Sequence, residues 1–96
     1  MDYDQFVEKS KTLGTGLIDL LPTYFKKFDD ETEYPVSEVA EHLSVSEETV
    51  RRWCRNGELI SEGITHYRIN GLVLKRYLFN KSKNRFPKTL KEIIEE

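Results

Sequence analysis

The stretch VSEVAEHLSVSEETVRRWCRN, residues 36–56, reads as two short helices joined by a tight turn. Val39, Ala40 and Leu43 share one face of the first helix, because residues three and four apart are neighbours there. Ala40 adds almost no bulk, so a second helix can cross closely over the first and answer with Val50 and Trp53. Ser44-Val45-Ser46 makes the corner, with Val45 expected to plug it. Ser46 can cap the free amides of the second helix. Glu47 and Glu48 follow in its first turn, where the helix dipole favours negative charge.

Once Val50 and Trp53 are set aside as the buried face, the second helix is polar: Ser46, Glu47, Thr49, Arg51, Arg52 and Arg55 remain. Arginines on one flank and in the last turn suit phosphate oxygens and guanine edges. Arg52, one turn beyond Glu48 and Thr49, is the first candidate for a base contact.

The longer runs SEVAEHLSVSEETVRRWCRNGELI and THYRINGLVLKRYL make the resemblance specific. Together they resemble the winged helix-turn-helix domain of phage and plasmid excisionases and MerR-type regulators. The matching residues are Ala40 in the first helix, small Ser44 at the turn, Val45-Ser46 and Thr49-Val50 opening the second helix, and Arg55-Asn56-Gly57-Glu58-Leu59 leaving it. Tyr67-Arg68-Ile69, Leu74, Tyr77 and Leu78 continue the match. Two positions differ from that pattern. Ser44 stands where glycine is usual, and Asn70-Gly71 stands where proline often begins the last helix. Serine is small enough for the turn, and Asn70 is a good helix cap. The resemblance implies a mainly α fold with a small β-hairpin, and a wing beside the recognition helix. It also implies a double-stranded DNA partner and either a regulatory or a recombination-directionality role, the latter meeting an integrase.

Outward from this unit, residues 57–69 read as the wing. Leu59-Ile60 and residues 65–69 are expected as two short strands about Ser61-Glu62-Gly63, with Thr65, His66 and Arg68 as its DNA contacts. Asn70 caps a helix to about Asn80, in which Leu74, Tyr77 and Leu78 close the core and Lys75 stays outside as a candidate DNA contact. Lys81, Lys83 and Arg85 form a basic stretch suited to phosphate. Phe86-Pro87 breaks the chain before a last short helix with Leu90, Ile93 and Ile94, capped by Thr89.

Before the unit, residues 1–33 form a helical extension with an acidic linker. Phe6 and Val7 sit in a first short helix interrupted by Gly14 and Gly16. Leu17, Leu21, Tyr24, Phe25 and Phe28 then repeat at helical spacing. Pro22 is tolerated in a first helical turn, so a helix over residues 20–29 with Asp19 near its start is expected, or else one long bent helix. The apolar residues must pack on something. They cover either the chain's own winged domain (residues 34–80, with residues 81–96 beyond) or a second copy, in which case Leu17, Leu21, Tyr24, Phe25 and Phe28 are the dimer contacts.

Charge supports this division. The net charge of -2 over 96 residues conceals -8 in residues 1–50, +7 in residues 51–85 and -1 in residues 86–96. The basic third is the part that resembles a DNA-reading surface. The same acidic half motivates an alternative, a protein-interaction or DNA-anchoring module that keeps the fold without reading sequence. Cys54, His42 and His66 show no ligand spacing, and no nucleophile set or glycine-rich phosphate loop occurs. Neither metal, cofactor nor catalysis is therefore expected. Cys54 has no internal disulfide partner and reads as a small, partly buried side chain. With no apolar run of membrane length and no signal peptide, no membrane contact is expected, and a cytoplasmic, nucleoid-associated bacterial or phage protein is the expectation.

Overall fold

The computed structural model describes every residue except Thr15 and Glu96. Thr15, between the two glycines expected to interrupt the first helix, lies outside the described residues, while Gly14 and Gly16 are described. The elements run α1 (Tyr3–Leu13), two 3-10 turns (Leu17–Leu20 and Thr23–Lys26), β1 (Glu33–Pro35), α2 (Val36–Leu43) and α3 (Glu47–Arg55). They continue with β2 (Arg68–Asn70), α4 (Gly71–Ser82), a 3-10 turn (Lys83–Arg85) and α5 (Lys88–Glu95). The fold is thus mainly α with one two-stranded antiparallel sheet, a helix-turn-helix unit and an N-terminal helical extension.

Local signals explain most helix ends. The Asp2 carboxylate accepts from the Gln5 amide while the Gln5 side chain accepts from the Asp2 amide, a reciprocal cap on α1. Gly14 closes that helix at φ 61°. Asn70 accepts from the Val73 amide at 3.0 Å and caps α4. Helix α5 starts at Lys88, with the Lys91 amide donating to Pro87, so Thr89 lies inside the first turn and is not the cap.

The turn between α2 and α3 is a left-handed helix exit. Ser44 has φ 57° and ψ 41°, its amide donates to Glu41 and the Val45 amide donates to Ala40. These two bonds satisfy the last carbonyls of α2 in the pattern a C-terminal glycine usually completes. Serine occupies the left-handed position that glycine favours, so the substitution is tolerated at a conformational cost. Val45 does not plug the corner. It is 36% exposed and sits at the rim of a groove with Leu43 and Trp53.

Two expectations for the extension and wing need correction. First, no helix forms over residues 20–29: Pro22 separates the two 3-10 turns and precedes the second. Asp19 caps nothing there and instead pairs with Lys26 at 2.7 Å, tying the turns together. Second, Leu59-Ile60 is not a strand: the Leu59 amide donates to the Trp53 carbonyl at 3.1 Å, tying this segment to the end of α3, with Leu59 buried and Ile60 exposed. Strand β2 begins at Arg68 and pairs with β1, in register Glu33 with Asn70, Tyr34 with Ile69 and Pro35 with Arg68. The wing is a loop closed by a single antiparallel bridge, Glu62 with Arg68, whose amides donate to each other's carbonyls at 3.0 and 2.9 Å. Gly63 turns it at φ 90°, and a β-carbon there would collide with the His66 carbonyl.

Of the two coverings left open for the apolar face of the extension, the structure has the chain's own domain. Leu17, Leu21, Phe25 and Phe28 are buried in the same core as Val39, Val50, Ile69 and Leu74, and only Tyr24 is half-exposed. The physical reason is α4, whose buried positions Gly71, Leu74, Lys75, Leu78 and Phe79 follow a stripe too wide for one neighbour. Phe79 carries its extension side, with ring centroids 5.9 Å from Tyr3, 5.5 Å from Phe6 and 5.7 Å from Phe86. Tyr77 meets Trp53 of α3 at 5.4 Å. Phe28 packs edge-on against both Tyr34 and His42, reaching α2 as well. The Lys9 ammonium donates to the Ile93 carbonyl, so α5 docks on α1.

Candidate nucleic-acid interface

Helix α3 buries Val50 and Trp53 and turns its charged residues outward. Its start is fixed by Ser46, whose hydroxyl oxygen accepts from the Thr49 amide at 3.1 Å and lies 2.8 Å from the Thr49 hydroxyl. These two side chains therefore engage each other at the helix start, and Thr49 is half-buried.

The arginines differ in what they touch. Arg51 donates to Glu47 at 3.0 Å and approaches Glu48 at 3.7 Å, while Arg55 pairs with Glu48. Arg52 is exposed and makes no ion pair among the described residues. The hydrogen bond from Arg55, then the positive charges of Arg55, Arg51 and Arg52, hold the Glu48 carboxyl below the usual range. Glu48 is the residue that reading the sequence as a helix start overlooked. Its separation of three from Arg51 and seven from Arg55 was the signal available.

The wing loop stands beside this surface. One cleft is lined by Ser37 of α2, Glu47 and Arg51 of α3, and Thr65 and His66 of the loop. Thr65 and His66 are exposed there. Arg68 is also exposed but leans to within 3.7 Å of Glu62 across the bridge that closes the loop.

Of the remaining cations, Lys75 does not belong to this surface. It is buried, and its ammonium donates at 2.7 Å to Asp30 of the linker. The acids of the extension neutralise α4 in this way: Arg76 likewise donates to Asp4 at 3.1 Å. Lys81 lies over the rings of Trp53 and Tyr77, 5.3 and 5.5 Å from their centroids. It shares a groove with Val45, Trp53 and Arg85. Lys83 is half-buried in the 3-10 turn that follows.

Among the described residues no three His, Cys, Asp or Glu side chains gather as a metal-binding group. Cys54 is free and half-buried, packed against the core. No described helix is long and apolar enough to cross a membrane.

The chain matches no curated protein and no solved structure. The helix-turn-helix domain family matches residues 34–82, just over half of the 96 residues, and that span runs from β1 through the end of α4. With the paired helices, the left-handed turn and the wing loop all inside the matched span, the chain belongs to the helix-turn-helix domain family.

Proposed function

We propose that this protein binds double-stranded DNA sequence-specifically, with α3 in the major groove and the wing loop on the flanking backbone or minor groove. The observation that carries the reading is the shared cleft. Arg51 and Glu47 on α3 face Thr65 and His66 on the wing across it, so both elements can meet one duplex. Arg52 reads bases. Arg51 and Arg55 meet guanine edges or phosphate after exchanging their carboxylate partners. Lys81, Lys83 and Arg85 add phosphate contacts, Lys81 and Arg85 from the groove they share with Val45 and Trp53.

The resemblance to excisionases and MerR-type regulators leaves two biological roles, a recombination directionality factor working with an integrase and a small transcriptional regulator. Cis burial of Leu17, Leu21, Phe25 and Phe28 favours the first. A chain whose extension is committed to its own core meets DNA as single units, and single units suit directly repeated sites. A preformed two-fold dimer suits inverted half-sites. Selection of duplexes from a random pool, followed by footprinting of the recovered sites at two salt concentrations, tests both levels. Enrichment of one sequence, weakened by salt, supports DNA reading, and tandem direct repeats support the recombination role. Recovery of no sequence, even at low salt, contradicts the proposal.

A further inference from the structure

Glu48 lies at the centre of the outward face of α3. At 100° per residue it stands about 170° from the midpoint between Val50 and Trp53. Arg51, Arg52 and Arg55 surround it. Its two carboxylate oxygens go to different arginines, Oε1 to Arg55 and Oε2 to within 3.7 Å of Arg51. One anion therefore binds Arg55 and stands within ion-pair range of Arg51, which also donates to Glu47 at 3.0 Å.

The helix itself does not require this. Ser46 already supplies the cap and Glu47 already places an acid in the first turn. All four charged side chains are well exposed, and exposed ion pairs contribute little to stability. The consequence lies in what the arginines are free to do.

We propose that Glu48 is a specificity determinant of the recognition helix: it competes with DNA phosphates for Arg51 and Arg55, and so suppresses binding to duplexes that offer only backbone charge. The proposal rests on the DNA-reading function above. A phosphate drawn to either arginine must displace a carboxylate already in place and then lie beside its negative charge. A matching site escapes that penalty. A guanine edge can accept from an arginine fork while a cytosine amino group donates to the carboxylate, so contacts are gained without leaving the anion unpaired. The charges around Glu48 favour its ionised form, so the competitor is present near neutral pH.

The test is equilibrium binding of the full chain to a duplex selected by the wild-type protein and to a random duplex of equal length, over a series of salt concentrations. Wild type, Glu48→Gln and Glu8→Gln are compared, with melting curves to confirm that each variant folds. Glutamine keeps the size of the side chain and removes its charge. For Glu48→Gln, affinity for the random duplex is expected to rise about tenfold, while affinity for the selected duplex changes by less than about threefold. The logarithmic salt slope on the random duplex should steepen by about one. Glu8→Gln removes the same charge from α1, where Glu8 pairs with Lys11 away from the recognition helix, and should keep the ratio of the two affinities within about twofold of wild type. Equal gains on both duplexes in Glu48→Gln, or no gain on either, overturn the proposal while leaving DNA reading intact. If wild type binds no duplex at all, DNA reading falls and this proposal falls with it.

Discussion

The carbonyl oxygen of Asp29 occupies the place into which a β-carbon on Gly71 would project. Such a carbon would also lie 2.8 Å from the Asp29 carbonyl carbon and 3.3 Å from the Tyr34 ring. Nearby, the Gly71 amide donates to the Thr32 carbonyl at 2.9 Å, and the Asp29 amide donates to the Tyr34 hydroxyl at 2.7 Å. The linker backbone is thus laid directly on the first turn of α4. This accounts for glycine at the start of α4: proline would remove the amide bond to Thr32, and any side chain would displace Asp29.

Gly71→Ala is therefore expected to destabilise the protein. In an ordinary helix that change gains roughly 0.5–1 kcal/mol. Here the collision with main chain should reverse the sign and cost about 1–3 kcal/mol, as overpacking does. Urea unfolding measures it, and a gain in stability would show that the linker does not rest on α4.

The Lys75–Asp30 pair should respond asymmetrically. The Lys75 side chain is 11% exposed, against 54% for Asp30. Asp30→Ala leaves an ammonium short of water and partner, and should cost roughly 1.5–3 kcal/mol. Lys75→Met keeps the packed stem and leaves only a hydrated carboxylate, so its cost should be smaller. Neither change should alter DNA selectivity. Unfolding midpoints and binding isotherms of the two variants decide the point.

Acid should act on α3 through Glu48. Its carboxyl is lowered chiefly by the hydrogen bond from Arg55 and then by the surrounding arginine charges. A carboxylate lowered on folding contributes stability that is present above its unfolded value and is lost as pH falls through the folded value. The Glu48 side-chain carbonyl, followed by NMR, is expected to titrate below the ordinary glutamate range in wild type. In Arg55→Ala it should move back towards that range. An unchanged titration would mean that the pair does not persist in solution.

The helix-turn-helix unit was legible in the sequence because its signals are local. Ser46 and Asn70 cap by bonds to residues three ahead, and Gly57 ends α3 at φ 76°. Ala40, Val50 and Trp53 declare their faces by spacing. What was not legible depends on distant parts of the chain. The pairing of Tyr34 with Ile69 joins two three-residue strands with no periodicity to read. Lys75 looks like a surface cation until Asp30, far away in sequence, covers it. The burial of Leu17, Leu21, Phe25 and Phe28 against their own chain needed Phe79, whose position beside Leu78 hides its separate role as the second face of α4. At the candidate interface the residues of α3 were identified from the helix pattern. The carboxylate bridge from Glu48 to Arg51 and Arg55 was not, because acids in a first helical turn already have a sufficient local explanation.

The central claim is that α3 reads bases, and Arg52 tests it most directly, since among the described residues it makes no ion pair whose loss would confuse the result. The measurement is the affinity of wild type and Arg52→Ala for the selected duplex and for versions mutated one base pair at a time. The account predicts a loss of about 1–3 kcal/mol on the selected duplex, with discrimination erased at one base pair and kept at the others. An equal loss on every duplex would contradict it, reducing Arg52 to a phosphate contact.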